Sequence, residues 1–303
     1  MLREEMIDAL RTPEEALQGL PDFDFVSSYR EVDGLRLAHL DEGTGAPVLF
    51  LHGEPTWSFL WRKVIPPVRE AGYRCIAPDL AGFGRSDKPT DIDFYSYRRH
   101  VELTATLLED LDLNGATIVV HDWGGPIGLR LAVEQRDRIG SMIVLDTVLF
   151  TGHQKMTDAW MAFRELAQHS EDLPISFLIR AGCKVPLAPS VIAAYERPFP
   201  NPASKAGARA FPLILPTTPQ MPGAATGQRV LDALGSDPRP KLIIWGEGDP
   251  ILPLESGWRF ARAIGAEVDH VIRGVGHYLQ EDAGAQIGRM IASWLKRNVP
   301  AKR

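Results

Sequence analysis

The chain has 303 residues, 45% hydrophobic and 24% charged, with a formal net charge of −6. That is the balance of a water-soluble globular protein, long enough for one large α/β domain carrying an insertion. Mild acidity without any basic block argues against a nucleic-acid partner, and no tract has the composition of a membrane-binding patch.

Cys75 and Cys183 lie far apart and have no metal-ligand neighbour at a useful spacing. Free thiols in a reducing compartment are expected rather than a disulfide. Met1 to Leu20 alternates charged and apolar positions and reads as a short amphipathic lead-in, without the apolar core of a signal peptide. No segment approaches the roughly 20 apolar residues of a membrane span. The expectation is a soluble, cytoplasmic protein with no membrane partner, monomeric or homo-oligomeric.

Phe25 to Tyr29 and Leu35 to Leu40 flank Asp33-Gly34, a strong two-residue hairpin signal. Val48 to Leu51 is a continuous apolar run, as in a strand buried on both faces. His52-Gly53-Glu54-Pro55 follows it directly. Trp57 to Glu70 is predicted helical, with Pro66-Pro67 interrupting or bending it. Tyr73 to Ala77 reads as another buried strand. The glycine-rich loop from Pro78 to Pro89 lacks the G-K-[ST] ending of a phosphate loop. Tyr97 to Leu111 has apolar residues at helical spacing.

Ile118-Val119-Val120-His121-Asp122-Trp123-Gly124-Gly125 then reads as a β-branched strand, a sharp turn carrying a carboxylate, and a helix running to about Arg136. Ser141 to Leu145 is the next strand. From Thr147 to about Gly227 the pattern changes: prolines are frequent, no buried strand is evident, and helical pieces appear near Asp158–Gln168 and Ser190–Tyr195. This stretch reads as a helical insertion. Strands return at Lys241 to Trp245 and His270 to Ile272, and a helix from Leu279 to Lys296 closes the chain. Alternating strands and helices predict a mostly parallel sheet covered on both faces.

Three polar residues follow sheet strands: Asp122, Asp249 in Gly246-Glu247-Gly248-Asp249-Pro250, and His277 in Gly274-Val275-Gly276-His277-Tyr278. Sites in open parallel sheets form beyond the carboxyl ends of the strands. Alone, each is readily explained as a turn, cap or loop residue. Together their order is nucleophile, acid, histidine.

With these residues in view, the chain resembles the haloalkane dehalogenases of the α/β-hydrolase superfamily. The matching motifs are His52-Gly53-Glu54-Pro55-Thr56-Trp57, Asp79-Leu80-Ala81-Gly82-Phe83-Gly84-Arg85-Ser86, His121-Asp122-Trp123-Gly124-Gly125 and Gly276-His277-Tyr278-Leu279-Gln280-Glu281, and the likeness runs from about Phe25 to Leu295. The Glu after His52-Gly53, and an acid after the later strand at Asp249, resemble the family's first subfamily. Val120 departs from the general pattern, which has a small residue two before the nucleophile.

The resemblance implies an α/β-hydrolase fold: a core of 1–146 and 228–303 with a helical cap, 147–227, inserted. It implies cleavage of carbon–halogen bonds through an ester of Asp122. A carboxylate, with a reference pKa of about 4, is ionised at neutral pH and needs no base to attack saturated carbon. His277, oriented by Asp249, is expected to activate the hydrolytic water. Backbone N–H groups of Glu54 and Trp123 are expected to form the oxyanion hole. The Glu54 side chain is read either as orienting water near His277 or as a solvated loop carboxylate.

The indole N–H groups of Trp123 and Trp160 are expected to bind the halide, because indole is a donor on an apolar body. From spacing alone, Trp160 is equally well read as packing with Phe163 on one helix face. Phe163, Phe177, Phe211 and Leu215, with Phe199 and Pro212, are weaker candidates for an apolar pocket. His121 reads as positioning the elbow, and His153 and His169 as surface residues. No metal or cofactor is expected; the partners are a small apolar halogenated substrate, water and the released halide.

An epoxide hydrolase is the rival reading, since it shares the elbow and the Asp–Asp–His set. It requires two cap tyrosines, and the insertion holds only Tyr195. A fluoroacetate-type dehalogenase is expected to place an arginine beside Asp122, where this chain has Trp123. A binding or regulatory protein without turnover is expected to lack a triad member, and none is missing.

Overall fold

The computed structural model describes residues 7–299. Met1 to Met6 of the predicted lead-in lie outside the described residues. Its remainder forms a strap: β1 (Ala9–Leu10) pairs antiparallel with a short strand near Lys88, a 3₁₀ turn covers Glu14–Leu17, and Leu17 and Leu20 are buried.

β2 (Ser27–Val32) and β3 (Leu35–Glu42) form the expected hairpin. Asp33 and Gly34 both have positive φ, 51° and 78°, as a two-residue turn matching strand twist requires. β4 (Pro47–Leu51) follows. The predicted Trp57–Glu70 helix is instead a 3₁₀ segment, Ser58–Lys63, followed by α1 (Ile65–Glu70). Pro66 and Pro67 fall in the first turn of α1, where no N–H is needed, so they begin a helix rather than bend one.

Next come β5 (Arg74–Pro78), β6 (Lys88–Pro89), α2 (Tyr97–Asp110), β7 (Ala116–His121), α3 (Gly124–Glu134) and β8 (Ile139–Leu145). All six residues of β7 are buried, as its β-branched run implies for a central parallel strand.

The proline-rich stretch carries α4 (Asp158–His169), α5 (Ile175–Gly182), α6 (Pro189–Glu196), α7 (Ala206–Ile214) and α8 (Ala224–Gly235). α4 packs on α7 and α5 on α6, whereas α8 packs against α3 and the later α9. The chain closes with β9 (Lys241–Gly246), α9 (Leu254–Ala263), β10 (His270–Ile272) and α10 (Leu279–Asn298). No helix among the described residues is long and apolar enough to cross a membrane.

The main sheet has eight strands in the order β10-β9-β8-β7-β4-β5-β3-β2. Pairs from β10 to β5 are parallel; β5–β3 and β3–β2 are antiparallel. From β4 the chain steps outward to β5, then returns to β7 on the other side. A crevice therefore opens beyond the carboxyl ends of β4 and β7.

Candidate active site

Asp122 leaves the end of β7 with φ of +48°, in the left-handed region that a β-branched or bulky residue avoids. The turn is tight, and Thr147 Oγ1 fastens it by donating to the Asp122 carbonyl at 2.6 Å. Val120 is accommodated from the helix side. A Cβ added at Gly128 would lie 2.6 Å from Val120 Cγ1, so a bare backbone in α3 makes the room that a smaller strand residue makes elsewhere. The elbow forms despite the bulk at Val120.

β4 delivers the opposing loop. His52 Nε2 accepts from the Leu80 N–H at 2.9 Å and its Nδ1 donates to the Gly53 carbonyl at 2.9 Å, fixing the loop to the neighbouring strand end. Gly53 lets the two backbones close up: a Cβ there would sit 2.1 Å from Asp122 Oδ1. The Glu54 N–H consequently donates to Asp122 Oδ1 at 2.7 Å. The Trp123 N–H, at the amino end of α3, also favours the ionised carboxyl. Both N–H groups expected to form an oxyanion hole thus face the elbow carboxylate.

Asp249 and His277 arrive from the ends of β9 and β10. Asp249 Oδ1 accepts N–H bonds from Ile251 at 2.7 Å and Leu252 at 3.0 Å, and its Oδ2 faces His277 Nδ1 at 2.7 Å. The far nitrogen of the ring, Nε2, stands 3.5 Å from Asp122 Oδ2. His121, fully buried in β7, donates from Nε2 to the His277 carbonyl at 2.8 Å, so it holds the histidine loop as well as the elbow.

Charge follows from this packing. Burial disfavours ionised Asp122, but His277, His121 and the Trp123 N–H outweigh it and hold the carboxyl below its ordinary value. Burial also opposes a charged His277, yet Asp249 and Asp122 together push its pKa well above the usual histidine range. His121 is driven down to about 3 by burial and by the neighbouring His277, so it is neutral. Burial, then the Asp122 charge, raises the Glu54 carboxyl well above its usual range, and its Oε1 has no partner. The Glu54 side chain is therefore a buried acid on the cavity wall and not a solvated loop carboxylate.

Asp122, His277 and Glu54 line a cavity of about 390 Å³ enclosed largely by α4, α5 and the end of α7. Trp123 and Trp160 are the two tryptophans on its wall, 6% and 4% exposed. Trp160 sits in the first turn of α4, whose N-cap Thr157 accepts its backbone N–H at 3.2 Å. Phe163, Phe177, Pro212 and Leu215 also line the cavity, with Phe177 partly open to solvent.

Phe211 and Phe199 do not line it. Phe211 is fully buried and stacked behind Trp123 at 4.7 Å, and Phe199 packs edge-on against Phe83. Phe211 lies beside Pro212 and four residues before Leu215, both on the wall, so residue spacing alone does not separate a wall position from packing behind Trp123. Phe150, Ile251, Leu252 and Tyr278 also line the cavity and were not among the expected residues. Ile251 and Leu252 lie two and three residues after Asp249, and Tyr278 directly follows His277, so closeness to these two residues was the available signal.

A family model for the alpha/beta hydrolase fold matches residues 46–284. A haloalkane dehalogenase of Mycolicibacterium paratuberculosis is 41% identical over 293 residues, covering 94% of this chain and 97% of the relative. One from Psychrobacter cryohalolentis is 37% identical over 300 residues, covering 95% and 98%. Among solved structures, the tetrameric haloalkane dehalogenase DpaA from Paraglaciecola agarilytica superposes with a TM-score of 0.89 at 32% identity, covering 94% of this chain and 97% of that one. On its sequence, its fold and these relatives, the chain belongs to the haloalkane dehalogenase family.

Proposed function

We propose that this enzyme hydrolyses the carbon–halogen bond of small apolar haloalkanes, giving a primary alcohol, halide and a proton. The observation that carries the reading is one cavity wall holding a hydrogen-bonded Asp122 carboxylate, His277 and two indole tryptophans. Asp122 attacks the carbon, the carbon–halogen bond breaks, and the halide leaves with the bonding pair toward the indole N–H groups of Trp123 and Trp160. The product is an alkyl ester of Asp122.

Esterification removes the negative charge that helps keep His277 protonated. The histidine pKa falls, and the ring becomes a base as the ester appears. His277 then takes a proton from water, and the hydroxide adds to the ester carbonyl carbon. The Glu54 and Trp123 N–H groups, already directed at this carboxyl, stabilise the oxyanion. Collapse breaks the carbon–alkoxide bond, the alkoxide leaves as the alcohol with the proton held by His277, and the Asp122 carboxylic acid releases its own proton to return as carboxylate.

The same reading takes 147–227 as a cap on a core of 1–146 and 228–303. Every strand of the main sheet falls within the core ranges, and α4, α5 and the end of α7 enclose the cavity. α8 begins at Ala224 and packs on α3, which favours a seam just before it. A cytoplasmic setting remains part of the proposal.

The epoxide alternative finds no support in Tyr195. Its hydroxyl is fully buried and donates to Glu281 Oε1 at 2.5 Å, so it is committed to the core. Bromide release from 1,2-dibromoethane tests the proposal: bromide and alcohol are expected in equal amounts. A folded protein that releases neither contradicts it.

A further inference from the structure

β8 ends on a second aspartate, Asp146, that the steps above do not use. It is fully buried and, like Asp122, adopts a left-handed backbone, with φ of +34°. Left-handed backbone at a non-glycine residue persists only where surrounding structure enforces it. Asp146 Oδ1 accepts the Gly246 N–H at 2.8 Å, whereas Oδ2 has no hydrogen-bond partner. An oxygen of Asp146, one of Asp249 and a ring nitrogen of His277 lie within 4.8 Å of one another.

The two carboxyls are unequally provided for. Asp249 receives three donors, from Ile251, Leu252 and His277, which suits a carboxylate. Asp146 receives one and keeps a bare oxygen toward its neighbour. Two adjacent buried carboxylates repel, so one proton resides on the less-solvated member. We propose that Asp146 is a positioning residue of the hydrolytic step, a carboxylic acid whose hydroxyl steadies the Asp249 carboxylate behind His277. Burial and the Asp249 charge both favour its protonated form, against an opposing pull from His277.

The groups facing it are Asp249 from the loop after β9 and His277 from the loop after β10, while the end of β7 contributes only the Asp122 backbone N–H, which donates to the Asp146 carbonyl at 3.4 Å. Glu247, beside Gly246, is exposed. Loss of the Asp146 proton in alkaline solution adds a second negative charge behind His277. The hydroxyl that steadies Asp249 is then gone and the two carboxylates repel, so His277 loses its fixed orientation and ester hydrolysis slows while alkylation of Asp122 does not.

This inference rests on the proposed division of labour between Asp122 and His277, and the experiment separates the two. Single-turnover ester formation and decay are followed by quenched-flow mass spectrometry with 1,2-dibromoethane, between about pH 7 and about pH 10, in wild type, Asp146→Asn and Asp146→Leu. The amide keeps an acceptor for Gly246 and a donor for Asp249 but cannot ionise. Asp146→Asn is expected to hydrolyse the ester within about threefold of wild type near neutral pH and to lack the alkaline decline. Asp146→Leu is expected to slow ester decay about tenfold or more, with alkylation unchanged.

Decay in Asp146→Leu at the wild-type rate overturns the inference, as does an Asp146→Asn loss as large as that of Asp146→Leu. Should Asp146→Leu not fold, the pH profile of Asp146→Asn decides alone: a retained alkaline decline overturns it. Failure to see any ester in wild type or in His277→Phe sinks the catalytic reading instead, which is a distinguishable result.

Discussion

His277 Nε2 stands 3.5 Å from Asp122 Oδ2, while Nδ1 of the same ring is 2.7 Å from Asp249. The short contact orients the ring; the long one exceeds the usual length of a hydrogen bond. The histidine is thus aimed at the elbow carboxyl without being locked to it, which suits a group that acts on a water beside that carboxyl.

The pH dependence of the two half-reactions should differ. The Asp122 carboxyl is held below its ordinary value, so alkylation is expected to stay constant through the neutral and mildly acidic range. Hydrolysis requires neutral His277, whose protonated form only Asp249 still favours once Asp122 is esterified, and is expected to slow as pH falls. Acid solution should therefore accumulate the ester. Separate rate constants across pH check this; parallel profiles for both steps contradict it.

Trp160→Phe removes one indole donor and keeps an aromatic wall. A hydrogen bond to a charged partner is worth about 1.5–3 kcal/mol, so bromide affinity should weaken about tenfold or more. Quenching of tryptophan fluorescence by bromide measures it, with circular dichroism to confirm the fold. Unchanged binding removes Trp160 from the halide site.

Gly53→Ala places a Cβ 2.1 Å from Asp122 Oδ1 and 2.5 Å from Asp122 Cβ, so one strand end must move. Displacing a reacting group by about 1 Å costs about 100-fold in rate. A fall of that order in kcat is expected from a folded variant, with bromide binding at Trp160 less affected. Wild-type turnover by Gly53→Ala contradicts the close approach.

Much of this was legible in the sequence, because it rests on local patterns. The buried run of β7, the Asp33-Gly34 turn and the three strand-end residues were each readable from a few neighbours. Asp122, Asp249 and His277 come together beyond the strand ends. Less legible was the insertion, where prolines conceal α5 and α7: Pro174 caps the start of one, and Pro212 lies inside the other near its end. Phe211 was misplaced because pocket lining depends on how α7 is rotated. Asp146 was missed because, after Leu145, an aspartate looks like any strand-ending turn residue. Its meaning comes from Asp249, about a hundred residues later and one strand away.

Glu281, singled out only as part of a motif, proves to be structural. It is fully buried with Arg62 in a two-pronged ion pair, with Lys63 at 3.0 Å and the Tyr195 hydroxyl at 2.5 Å. Burial opposes its charge, but Arg62 prevails and holds the carboxyl below its ordinary value. Its stabilising effect is therefore present above the usual glutamate range and lost as pH falls through the lowered value. Glu281→Leu leaves Arg62 buried and unpaired, which costs about 3–5 kcal/mol. Thermal or urea denaturation should show a loss of that size; a variant as stable as wild type contradicts it.

The most direct measurement is the mass of His277→Phe after mixing with 1,2-dibromoethane. A bromoethyl group on the peptide containing Asp122, with one bromide released per enzyme and no further turnover, is the expected result. An unmodified protein that still binds substrate, or a variant that turns over like wild type, contradicts the division of labour between Asp122 and His277.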